Sequence, residues 1–71
     1  MIKLVVSRYF EKHESEHPTF EHAAITAVAE LDNDASYPLR ILDGKDVLWE
    51  QDGPGGDALM YLRDIASNRP T

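Results

Sequence analysis

Apolar and polar residues alternate at the start of the chain. In IKLVVSRYF (2–10), Ile2, Leu4 and Val6 share one side of an extended backbone, and Lys3, Val5, Ser7 and Tyr9 share the other. The β-branched and aromatic content, without Gly or Pro, predicts a strand over 2–10. The polar stretch EKHESEHP (11–18) ends in proline and reads as a loop. The period then changes. Phe20, Ala24, Ala27, Val28 and Leu31 recur at helical spacing, behind Thr19 as N-cap and Glu21 in the first turn, which predicts a helix over 19–31. Ala23, Ala24, Ala27 and Ala29 favour the helix and let it approach a sheet closely. Its end falls near Leu31, before the turn-forming DNDAS.

Residues 37–42 and 46–51 read as a hairpin, YPLRIL and DVLWEQ around a DG turn signal. Directly opposed residues point to the same side, so faces argue for register. A two-residue turn at Asp43-Gly44 would set Ile41 against Asp46 and Tyr37 against Glu50. A three-residue loop keeps Tyr37, Leu39, Ile41, Val47 and Trp49 together as a core face, and is favoured on that ground. Arg40, Asp46 and Glu50 then point away with Leu42 and Leu48, unless the second helix covers that side. Pro38 places its end of the strand at an edge or a strand start. After the flexible DGPGG (52–56), Asp57 opens or caps a helix over 57–66, with Leu59, Leu62, Ile65 and Ala66 as its apolar stripe. The tail 67–71 is expected to fray. The expected fold class is α+β: one small β-α-β-β-α domain over 1–71, a three-stranded sheet with two helices on one face.

Composition narrows the function. The chain has 71 residues, 42% of them hydrophobic, so a single small core is affordable and an acidic disordered tail is excluded. The absence of cysteine removes disulfides, thiolate metal sites and a cysteine nucleophile. The chain carries 13 acidic and 7 basic side chains, net −6, with the basic residues scattered. Direct nucleic-acid or anionic-membrane binding is therefore not expected, because phosphate recognition needs clustered Lys and Arg. No run approaches the ~20 apolar residues of a membrane span, and MIKLVVSRYF is too soon charged for a secretory signal. A cytoplasmic location is expected. A partner with a basic surface is the better electrostatic match.

The densest polar cluster is EKHESEHPTFEH. Its His13, His17 and His22, with nearby glutamates, are metal-ligand types, but they lack the helical spacing of an H-E-x-x-H site. The plainer reading is a solvated loop whose histidines soften its charge near about pH 6. DNDASYPLRILD alternates Asp32, Asp34 and Ser36 like a calcium loop, yet Tyr37 stands where that loop turns on Gly. DGPGGD lacks the lysine of a phosphate-binding loop. None of Ser7, Ser15, Ser36 and Ser67 sits in a recognised nucleophile motif, so no enzyme and no cofactor are expected. For recognition, the candidates are Tyr9, Glu11, Glu14 and Glu16, with Arg40, Leu42, Leu48 and Glu50 on the outer hairpin face. Trp49 reads as core or core edge.

The strand ending in SRYF, the helix opening TFEHA and the hairpin YPLRILDGKDVLWE resemble short uncharacterised proteins of bacteriophages and actinobacteria. The shared pattern is a strand, an F-E-x-A helix and a Y-P-x-R-I-x-D-G-x-x-x-W hairpin, and it spans residues 2–51. The resemblance implies a small accessory protein that binds a host factor, and it carries no catalytic residues. The leading expectation is thus a non-enzymatic protein that binds a basic partner, as a modulator, inhibitor or phosphate-mimicking acidic domain. The alternative is an oligomeric small-ligand or metal binder using His13, His17 and His22. Homodimerisation through Leu42 and Leu48 would supplement a thin core.

Overall fold

The computed structural model describes residues 1–31, 36–53 and 56–67. Its elements are strands β1 (Ile2–Arg8) and β2 (Glu11–His17), helix α1 (Phe20–Glu30), strands β3 (Ser36–Asp43) and β4 (Asp46–Glu50), and helix α2 (Ala58–Ser67). The α+β class holds, but the sheet has four strands, in the order β2-β1-β3-β4 with every neighbouring pair antiparallel. Residues 11–17, expected as a loop, form the additional strand. The first strand ends at Arg8, two residues before its expected end, because Tyr9 and Phe10 make the turn into β2. Two antiparallel steps leave β2 and β3 parallel, so α1 crosses over β1 to join them.

Residues 11–17 escape a hydrophobicity reading because β2 is an edge strand, with every residue from Glu11 to Glu16 exposed. A charged edge strand resists pairing with other chains. β1 is central and is buried from Leu4 to Ser7. Val5 and Ser7 lie on the face without helices and are buried all the same, Val5 paired between Glu14 and Arg40 and Ser7 between Lys12 and Tyr37.

One core lies between the sheet and the helices. It joins Leu4 and Val6 of β1, Ile41 and Trp49 of the second hairpin, Ala23, Ala24 and Ala27 of α1, and Leu62 of α2. The alanines are fully buried, the close helix-to-sheet approach their size predicts. Thr19 caps α1 as expected, accepting from the His22 N–H at 3.1 Å. At α2 the cap comes from an unexpected side chain. Asp52 accepts from the N–H groups of Asp57 (3.0 Å) and Ala58 (3.4 Å). The Trp49 indole N–H donates to the Ala58 carbonyl at 2.9 Å, tying α2 to the sheet.

The second hairpin departs from its expected register. Asp43 pairs with Asp46 across a two-residue Gly44-Lys45 turn, with Gly44 at φ +61. Register then shifts in two places. Leu42 pairs with Val47 but Ile41 with Trp49, leaving Leu48 as an extra residue. Val5 pairs with Arg40 but Val6 with Pro38, leaving Leu39 extra. Each bulge reverses the side-chain alternation. Ile41 and Trp49 therefore enter the core as expected, while Tyr37 and Val47 are turned out to solvent. The DNDA segment 32–35, residues 54–55 of the Gly-rich connection and the tail 68–71 lie outside the described residues.

Candidate functional site

Because 11–17 is a strand, its side chains sort onto two faces. Glu14 and Glu16 lie opposite Val5 and Lys3 on the open face of the sheet, away from the helices. Arg40, Leu42 and Glu50 occupy that same face through their pairing with Val5, Lys3 and Arg40. Five of the expected binding residues are thus brought together, but they do not form a one-signed patch. Lys3 lies 3.8 Å from Glu14, and Arg40 lies 3.8 Å from Glu50. Leu42 is half-buried beside Val47, and Leu48 is an exposed bulge residue on the outer strand.

Glu11, His13, Ser15 and His17 point to the helix side, opposite Arg8, Val6, Leu4 and Ile2. There His13, Ser15 and His17 meet the flank of α1 across a cleft of about 280 Å³. Leu4 and Val6 lie among its lining residues, with Thr26 and Glu30 of α1 opposite His13 and Ser15 of β2. Arg8 closes one end by ion-pairing with Glu30, its Nε donating to the Glu30 carboxylate at 3.2 Å. The Arg8 hydrogen bond holds the Glu30 carboxyl below its ordinary range.

Toward the other end of the cleft, the lining residues Ser15 and His17 begin a continuous chain of three polar side chains that His22 completes. Ser15 Oγ lies 2.8 Å from His17 Nε2, and His17 Nδ1 lies 2.8 Å from His22 Nδ1. The ring centroids are 5.0 Å apart and tilted by 39°, so the two nitrogens meet nearly head-on, as a shared N–H···N bond requires. His17 is 6% exposed. Burial, and secondarily the neighbouring His22, lower its pKa from 6.5. His17 is therefore neutral at pH 7. The sequence singled out His13, His17 and His22 as one set; the structure joins His17 and His22 and leaves His13 apart. Among the described residues no group of three or more His, Cys, Asp or Glu is arranged to hold a metal ion. The sequence offers Ser15 only as one of four serines outside any recognised nucleophile motif, although H-x-S-x-H alternation on a strand puts it on one face with His13 and His17.

The turn between β1 and β2 is the second unusual feature. Tyr9 (φ +50) and Phe10 (φ +69) are non-glycine residues in left-handed conformation. Both are expelled into solvent, at 73% and 101% exposure. Two consecutive positive φ values are what a two-residue type I′ hairpin demands, and Asn-Gly normally meets that demand. No family model, curated protein or solved structure matches this chain.

Proposed function

We propose that this chain is a protein-binding module anchored by the Tyr9–Phe10 turn. The carrying observation is the pair of exposed rings held on a strained backbone. Selection for folding alone favours Asn-Gly at this turn, whereas strained residues persist where their side chains serve another purpose. Tyrosine is enriched among the residues that dominate binding energy, and a Phe ring brings a large apolar payload to an interface. The matching partner is a protein with an apolar pocket and a basic rim. Glu11 adjoins the turn and the net charge of −6 steers such a partner inward. The resemblance of SRYF, TFEHA and the hairpin to phage and actinobacterial proteins supports a host factor as that partner. The paired charges on the open face favour a steering role for the acidic surface over a phosphate mimic.

The test uses Tyr9→Asn/Phe10→Gly, which keeps the hairpin and removes both rings. Wild-type and variant chains are compared as baits in lysate of the native host, and the retained protein is titrated at rising salt. A partner held by the wild type and at least tenfold weaker with the variant supports the anchor. Equal capture by both refutes it, and affinity indifferent to salt refutes the basic rim.

A further inference from the structure

We infer that Ser15 is a base-activated nucleophile that accepts an acyl group from a small activated ester, with His17 as its general base and His22 as the residue that orients the base. The inference stands on the three-membered chain itself and goes beyond binding at the Tyr9–Phe10 turn. A weak nucleophile needs a base within hydrogen-bond reach, and that base needs a third group to fix its orientation. The two 2.8 Å links supply both, on opposite nitrogens of one imidazole.

The sequence builds this arrangement simply. Ser15 and His17 are two apart on an extended strand, so they point to the same side. Thr19 caps α1 and fixes its first turn, which delivers His22 to the far nitrogen of His17. His17 is packed beneath the surface while Ser15 and His22 are exposed, so the nucleophile is reachable and the base is held. The cleft beside Ser15, lined by Leu4 and Val6, has room for a short acyl chain.

In the tautomer the reaction needs, Ser15 Oγ–H donates to His17 Nε2 and His17 Nδ1–H donates to His22 Nδ1. The Ser15 oxygen attacks the ester carbonyl carbon while its proton passes to His17 Nε2. The resulting imidazolium keeps its Nδ1–H bonded to His22, which disperses the charge. Collapse of the tetrahedral intermediate breaks the bond to the leaving oxygen, which takes the proton from His17. Acyl-Ser15 remains. Water activated by the same nitrogen then releases the carboxylic acid and restores Ser15. The net reaction is ester plus water to acid plus alcohol, and it needs no further co-reactant.

The probe is p-nitrophenyl acetate with the full chain, read by p-nitrophenol release and by peptide mass mapping of the acetylated residue. Acetyl on Ser15 is expected, with release slowed by roughly 10²-fold or more in Ser15→Ala and His17→Gln, the scale of general-base catalysis. His22→Gln, at an exposed position, should slow release by a smaller factor and leave the fold unchanged. The wild-type rate should fall as acid protonates His17, and Ser15→Ala should lack that profile. Ser15→Ala carries the decision should His17→Gln unfold. Acetyl found only on lysine, histidine or the terminal amine, or equal rates for wild type and Ser15→Ala, overturns the inference.

Discussion

Replacing Tyr9-Phe10 with Asn-Gly should make the protein more stable, although two large apolar side chains are lost. Phe10 is fully solvated at 101% exposure and Tyr9 is 73% exposed, so truncation forfeits little buried area. Each left-handed non-glycine residue costs about 1–2 kcal/mol. Glycine at position 10 removes that cost but returns about 0.5–1 kcal/mol through the greater freedom of the unfolded chain. Asparagine at position 9 relieves only part of the strain, because it tolerates this region better than tyrosine without being free there. The net gain is about 1–2 kcal/mol. In a domain of this size each kcal/mol moves the midpoint by roughly 4–8 °C, so a rise of about 5–15 °C is expected. Thermal melts by circular dichroism and urea titrations of wild type, both single variants and the double variant measure it. Phe10→Ala separates the effects, since it removes the ring and keeps the strain, and it should be nearly neutral. A double variant no more stable than wild type would refute the argument, showing that the rings stabilise the fold or that the turn is not left-handed. The combination expected here, higher stability with lost binding, is the signature of residues retained for recognition.

Three further outcomes follow from the same contacts. His17 has a depressed pKa in the folded state, so the unfolded chain protonates first; stability should fall as pH drops below about 6.5 and level off below the folded value, and His17→Gln should flatten that slope in urea titrations across pH. A Cβ on Gly56 would lie 2.1 Å from the Asp52 carboxyl carbon, so Gly56→Ala should displace the α2 cap at a cost of about 1 kcal/mol, and Asp52→Ala combined with it should add little; full additivity in denaturant titrations would refute the shared cause. Trp49→Phe removes the indole bond to the Ala58 carbonyl and should cost about 1–2 kcal/mol, with hydrogen exchange rising first in α2; unchanged protection there would show that α1 packing alone holds the second helix.

Periodicity made most of the elements legible. Ile2, Leu4 and Val6 declared the core face of β1, the alanine-rich stripe declared α1, and Leu59, Leu62 and Ile65 declared the buried side of α2. These segments bury one face, so burial writes a pattern into their composition. β2 buries almost nothing, and Glu11–His17 carries no such pattern. Its strand character comes from backbone pairing with β1, which does not depend on which polar side chains it bears. The candidate site inherits the same difficulty. Three histidines were visible as a cluster, but which two meet, and that Ser15 lies beside His17 on the same face of β2, depended on strand alternation that only the pairing established.

The sequence by itself determined the class, the two helices, the Thr19 cap and the acidic, cysteine-free chemistry, because each is a local property or a sum over residues. The tertiary structure decided the strand count, the register and the faces. Two bulges, at Leu39 and Leu48, turned Tyr37 and Val47 outward while keeping Ile41 and Trp49 inside. A bulge is settled by which non-local pairing fills the core best, and a side-chain period of two makes a shift of one residue reverse everything beyond it. The proximity of His17 to His22 belongs to the same class of fact, since it exists only once an edge strand and a capped helix are held against one another.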